Sequence, residues 1–494
     1  MTDRSPEGPP RLARLPLALA AAALTAAYAA TASRYDYHRD ELYFRMLEPA
    51  WGYVDQPPLT PLLAQASIAV FGDALWALRV PAMLCMAATL WLAVSITREF
   101  GGGPRAQALC AGGLAFAGVG LSMGHMLATA TVDLPVWTAV LLFTVRALRR
   151  GAPRWWLAAG AATGVGLYNK HLVVLLLVSL AAALLAVGPR RVLRSGWLWA
   201  GVGLALLIGS PNLVYQAANG WPQLEMASVI AETKGPDARI ELLPFQPLLL
   251  ALMTPVWIAG AVALLRRPQW RAARALAVAY PVLLAVVLVS GGQMYYPLGL
   301  VVALFAVGCV PAAEWMRRAR WRSGAVAAAV ALNTAVSAVI GLPLVPVGAL
   351  GATPLPEVNA ALPDQIGWQA YTAQVGEVYA ALPEDEAAAA VVITANYGEA
   401  GAIDRYGGEW DLPAVYSGHN HLHHYGPPDE SATVALVVGL PPQRVAGLFD
   451  ECATAAVLDN GLGVDNEEQG RTVAVCRGPA APWSELWPRF QHYS

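Results

Sequence analysis

Long apolar runs separated by short polar stretches dominate the first 349 residues. Crossing about 30 Å of hydrocarbon takes roughly 17–25 helical apolar residues. Runs of about that length occur at 15–32, 77–97, 106–123, 127–145, 155–168, 171–187, 197–215, 246–265, 275–290, 294–312 and 324–347. The pattern predicts eleven transmembrane helices, of which 155–168 is the shortest. Arg4, Arg11 and Arg14 precede the first run as in a signal peptide, but the many runs that follow make it a retained helix.

Beyond residue 350 the pattern changes. A Pro/Gly-rich linker (Pro343, Pro346, Gly348, Gly351, Pro354, Pro356) divides a membrane domain, 1–349, from a polar domain, 350–494. In the latter, 364–381 has a helical pattern, Val391–Thr394, Val434–Gly439 and Arg471–Cys476 read as strands, and Pro441-Pro442 marks a helix start. A small α/β domain is expected.

Charge placement sets the expected orientation. Twenty arginines fall before the first run or in alternate loops: Arg98 and Arg105, then 146–154, 190–194, 266–274 and 317–322. The opposite loops and helix ends hold seven basic residues. The positive-inside rule then puts the N-terminus in the cytoplasm. An odd number of spans puts the C-terminal domain outside a plasma membrane. The two long outside segments, 33–76 and 216–243, are where chemistry is expected, because the inside loops are short and arginine-rich.

Composition agrees. The 494 residues are 56% hydrophobic and 13% charged, against roughly 25% charge in soluble domains. A formal net charge of -2 gives no basic field for nucleic acid. Five cysteines are too few for a disulfide scaffold. Cys85, Cys110 and Cys309 lie in apolar runs as small hydrophobes. Cys452 and Cys476 form a reasonable disulfide pair in an extracytoplasmic domain.

The first outside segment is dense in acids, aromatics and prolines: Tyr35-Asp36-Tyr37-His38-Arg39-Asp40-Glu41-Leu42-Tyr43-Phe44, then Trp51-Gly52-Tyr53-Val54-Asp55-Gln56-Pro57-Pro58-Leu59. A carboxylate pair here can activate a hydroxyl or hold a cation, and a solvated loop explains the composition equally well. Lys170, one of two lysines, lies where two apolar runs meet. It either lines a wet cavity or snorkels to the interface. Asp133, two residues before Pro135, caps a helix or holds an acceptor or cation. His125 reads first as an interfacial histidine. His419, His421, His423 and His424 read as a surface loop before they read as a metal site.

The order Asp-Glu-x-Tyr followed by Trp-Gly-Tyr-x-Asp-x-Pro-Pro-Leu, directly after a first membrane helix, resembles the protein O-mannosyltransferase-like glycosyltransferases. These are family 39 enzymes of the GT-C fold, similar to the aminoarabinose transferases of lipid A. The resemblance extends through Gly124-His125-Met126 to Trp137, Tyr168-Asn169-Lys170-His171, Tyr295-Tyr296-Pro297, Asn396 to Ile403, and Ser417 to Asn420. It implies a mainly α membrane protein with a small extracytoplasmic α/β domain, taking a sugar from a polyprenyl-phosphate donor. It also implies Asp40 as general base or acceptor-positioning residue, supported by Glu41. Asp55 and Gln56 fall in the same motif. Where aminoarabinose transferases carry a phosphate-binding lysine, this chain has Gln56, a neutral amide, so the donor phosphate needs charge from elsewhere. Lys170 is the leading candidate, with Tyr295 as a further donor and Asp133 and His125 as substrate-facing groups. A phosphate leaving group requires charge stabilisation rather than protonation, so one side-chain base and one inverting displacement suffice.

A lipid or sugar transporter is the alternative reading. It is less favoured because the acids gather in one outside loop and not in repeat-related broken helices at mid-membrane. The sugar and the acceptor, whether lipid, glycan or protein, stay open. No cofactor is expected, although Asp40, Glu41 and Asp133 leave room for a divalent cation.

Overall fold

The computed structural model describes residues 8–494, so Arg4 lies outside the described residues. The chain forms two compact units. A helical unit comprises the chain through Ala30, Gln56–Thr60 and Arg79–Leu342, and a sheet-bearing unit comprises Thr31–Asp55, Pro61–Leu78 and Pro343–Ser494. A division into consecutive pieces at 349/350 therefore differs from the observed one. The segment after the first helix packs with the polar domain, because its buried aromatics need an apolar partner surface.

Each apolar run contains helix. Among the described residues six helices are long and apolar enough to cross a membrane: Arg14–Thr31, Leu75–Glu99, Thr129–Arg149, Gly196–Ala218, Leu298–Met316 and Arg320–Gly341. Shorter apolar helices include Val173–Val187 and Ala275–Ser290. The run at 106–123 is two helices, Pro104–Ala115 and Gly118–Met123, which part at Phe116 and Ala117. Residues 216–243 are not an open loop, since Pro222–Thr233 and Gly235–Phe245 are helical.

Glycines set the closest helix pairs, as expected where no hydrophobic effect drives helices together in lipid. A Cβ on Gly160 would strike the Gly201 carbonyl, and one on Gly308 would strike that of Val256. The acids at the arginine-rich ends are ion-paired: Glu99 with Arg146 (2.9 Å) and Arg150 (2.6 Å), and Glu314 with Arg267 (2.6 Å).

The sheet-bearing unit has five strands: β1 (Ala390–Thr394), β2 (Val415–Ser417), β3 (Val434–Val438), β4 (Phe449–Val457) and β5 (Thr472–Pro479), in the order β2-β1-β3-β5-β4. β1 pairs in parallel with β2 and β3, while β5 runs antiparallel to β3 and β4. β1 and β3 are buried along their whole length, which explains sequences that are apolar but for Thr394. Cys452 and Cys476 face each other across β4 and β5 and form a disulfide. The Pro/Gly-rich stretch is packed and not a spacer. Leu350 is fully buried with Tyr35, Leu362, Ile366 and Val464, and the Tyr35 hydroxyl donates to the Val345 carbonyl at 2.9 Å.

Candidate active site

Asp40 sits in the first turn of a short helix, Arg39–Met46. His38 caps that helix: its Nδ1 accepts from the Asp40 N–H at 3.2 Å, and its own N–H donates to Glu41 Oε2 at 2.9 Å. This reciprocal pair satisfies two otherwise orphaned donors. Glu41 is fully buried, so the structure gives it a place in building the helix start. Asp40 beside it is half-buried.

The helix is held by close packing on Tyr397–Tyr406. A Cβ on Gly401 would lie 2.6 Å from Leu42 Cβ and 2.9 Å from the Leu42 carbonyl oxygen, so only glycine allows this approach. Asn396 and Glu399 cap Tyr397–Tyr406 in the same reciprocal way. The packing brings the Tyr397 hydroxyl to Asp40 Oδ1 at 3.0 Å. Oδ2 of Asp40 has no partner among the described residues. Burial first, and then the Asp40 carboxylate, holds the Tyr397 phenol well above its usual range near 10, so it remains a donor.

A second carboxylate is held likewise. The Tyr43 hydroxyl donates to Asp55 Oδ1 at 3.0 Å and accepts from the His421 N–H at 3.3 Å. Rings then stack in a column, Tyr43 on Tyr397 (4.6 Å), Tyr397 on His419 (4.8 Å) and His419 on His492 (4.8 Å). The Tyr397 N–H donates to His419 Nδ1 at 3.1 Å, so the proton of neutral His419 sits on Nε2, 2.7 Å from Ser494 Oγ. Burial pulls His421 down to about 4, leaving it neutral at ordinary pH. His423 lies flat on Trp487 with centroids 5.3 Å apart. Among the described residues no three His, Cys, Asp or Glu side chains converge as metal ligands, and the histidine cluster is instead packed among aromatics.

The other candidates belong to the helical unit. Asn169 joins three elements there: it accepts from Thr60 Oγ1 at 2.5 Å and donates to Asp133 Oδ1 at 2.7 Å and to the Thr129 carbonyl at 2.8 Å. The Leu59 N–H donates to the Tyr168 carbonyl at 2.7 Å. Asp133 is thus a buried junction within Thr129–Arg149 rather than a cap on its end. Lys170 follows immediately, its Nζ 5.6 Å from the centroid of the Tyr296 ring. Asp133, Trp137, Lys170, Tyr295, Tyr296 and Gly299 line a small cavity of about 30 Å³. Gln56 and His125 are buried and do not line it, and Gln56 Nε2 has no hydrogen-bond partner among the described residues.

Three of the predicted residues (Asp133, Lys170, Tyr295) therefore share one cavity, and two (Asp40, Asp55) share a tyrosine-held cluster. Sequence reasoning did not assign roles to Tyr397, Tyr43 or Asn169. Asn169 adjoins Lys170, and Asn396-x-x-Glu399 is a capping signature just before Tyr397.

A family model described as dolichyl-phosphate-mannose-protein mannosyltransferase matches residues 55–215. The chain matches no curated protein at a significant level. Its fold is that of ArnT from Cupriavidus metallidurans. Against the form bound to undecaprenyl phosphate the identity is 16% and the TM-score 0.58, covering 93% of this chain and 97% of that one. Against the apo form the identity is 15% and the TM-score 0.59, covering 94% and 98%. The arabinofuranosyltransferase AftD from Mycobacteria is also similar, at 14% identity and TM-score 0.52, over 95% of this chain and 40% of that one. The chain thus resembles the protein O-mannosyltransferase-like membrane glycosyltransferases and has the GT-C fold, mainly helical with a small C-terminal sheet. It is a multi-pass membrane protein.

Proposed function

We propose that this protein transfers a sugar from a polyprenyl-phosphate carrier to a hydroxyl acceptor at the extracytoplasmic face of the plasma membrane, with inversion at the anomeric carbon. The observation that carries the reading is the state of Asp40: one oxygen is fixed by the Tyr397 phenol and the other has no hydrogen-bond partner among the described residues. A general base needs that arrangement. The donor class is supported by the shared fold with ArnT, solved in complex with undecaprenyl phosphate. The orientation is supported by the arginine distribution.

In the reaction the acceptor hydroxyl attacks the anomeric carbon. The bond from that carbon to the phosphate oxygen breaks as the new glycosidic bond forms, and Asp40 takes the hydroxyl proton. Lys170 supplies positive charge to the departing phosphate, with Tyr295 as a neutral donor. Tyr397 and Tyr43 position Asp40 and Asp55. Asp40→Asn keeps the shape and the Tyr397 contact but removes the base. Purified in lipid, this variant should insert and fold normally and lose transfer. Turnover at the wild-type rate would overturn the assignment.

A further inference from the structure

The sheet-bearing unit contains a cavity that the proposed reaction does not use. Its volume is about 380 Å³, within the ~300–1,000 Å³ range of small-molecule sites. Its position follows from the topology. From β1 the chain crosses to β2 on one side, then returns to β3 on the other side of β1, so strand order reverses between β1 and β3. Open α/β sheets bind ligands in the crevice at the carboxyl ends of the strands where this reversal occurs. The cavity lies there. Ala395 and Asn396 follow β1, and Gly439, Leu440 and Pro441 follow β3.

The lining has a polar floor and a basic rim. Asn396, Glu399 and His419 form the floor and are more than nine-tenths buried. Glu399 Oε2 accepts the N–H groups of Ala395 (2.8 Å) and Asn396 (3.1 Å), while Oε1 receives no hydrogen bond from the described residues. Gly439 makes room for that carboxyl: its φ is +76°, and a Cβ there would overlap Oε1. Burial first, and then Glu468, pushes Glu399 up to about 8, so at neutral pH it is mostly a protonated carboxyl that can both donate and accept. On the rim, Arg444 has no partner among the described residues, and Arg471 uses only Nε, on the Glu467 carbonyl at 3.0 Å. The rim acid, Glu467, is paired with Arg39.

Neutral groups that donate and accept suit hydroxyls, and two arginine heads suit an anion. We propose that this cavity binds a monosaccharide unit carrying a carboxylate or phosphate, with Arg444 and Arg471 on the charge and Asn396 and Glu399 on the hydroxyls. The site does not depend on the transfer reaction and stands or falls separately from it.

The test uses the full chain in lipid nanodiscs and calorimetric titration with glucuronate, glucose 1-phosphate, neutral glucose and inorganic phosphate. Wild-type protein should bind glucuronate or glucose 1-phosphate, with glucose and phosphate alone each at least about tenfold weaker. The surface double variant Arg444→Ala/Arg471→Ala should weaken anionic-sugar binding by at least about tenfold, and Glu399→Leu should weaken it without altering charge on the rim. Binding of no probe, equal binding of glucose, equal binding of phosphate alone, or an unaffected arginine variant would each overturn the proposal.

Discussion

Replacing Gly401 by alanine tests how tightly the helix bearing Asp40 is held. The new Cβ would lie 2.6 Å from Leu42 Cβ and 2.9 Å from the Leu42 carbonyl. Leu42 is fully buried and its backbone cannot swing away as a flexible side chain could. Such overpacking costs about 1–3 kcal/mol. Alanine in place of helical glycine returns about 0.5–1 kcal/mol, leaving a net loss of at most about 2.5 kcal/mol and centred on about 1 kcal/mol. For a unit of this size the central value is roughly 2–4 °C in Tm. If the strain is relieved by shifting Arg39–Met46 about 1 Å, transfer should fall by up to ~10²-fold. Thermal unfolding of the lipid-reconstituted protein and a transfer assay read both effects. Gly408→Ala is the control, since no atom lies within 4 Å of a Cβ there. An unchanged or raised Tm for Gly401→Ala, with wild-type transfer, would refute the packing argument.

Other outcomes follow from the same geometry. Asn169→Leu deprives Asp133 and Thr60 of their partner and should destabilise the helical unit by about 1–3 kcal/mol per orphaned group, read as lost yield and a lower Tm in detergent. Lys170→Met should weaken undecaprenyl phosphate binding by about tenfold or more while Lys170→Arg retains part of it, and equal affinity in both variants would exclude Lys170 as the phosphate cation. Glu399, pushed up to about 8 from an ordinary value of 4.5, keeps in the folded state a proton that the unfolded chain has released. Its contribution is complete below about pH 4.5 and is lost as pH rises through 8, at no more than about 1.4 kcal/mol per pH unit. Denaturant midpoints of the wild type should fall across that window, with the slope flattened in Glu399→Gln.

The helices were legible because burial in lipid and in the bundle both demand apolar residues: each of the eleven runs contains helix, and among the described residues six helices are long and apolar enough to span a membrane. The break at Phe116 carried none, since no proline marks it. β1 and β3 were legible as short apolar runs, whereas β4 was not: it is an edge strand, mostly exposed and rich in alanine. β2 has only three residues. Asp40 is singled out as a candidate by its motif alone. Its partner Tyr397 lies 357 residues away, and local pattern carries no information across that distance. Glu41 looked like half of an acidic pair, because a histidine N-cap gives no sequence signature as plain as Ser or Asp would. The proline-rich stretch before the polar domain read as a spacer, yet its few apolar side chains, Leu350 among them, are packed into the sheet-bearing unit.

The account rests on a sugar leaving a lipid-borne phosphate through the action of Asp40. The direct measurement incubates wild-type and Asp40→Asn protein in nanodiscs with a panel of polyprenyl-phosphate sugars and an acceptor extract, following free polyprenyl phosphate by mass spectrometry. The account predicts that the wild type consumes at least one donor and the variant none. Consumption of no donor by the wild type, or equal consumption by both proteins, would contradict it.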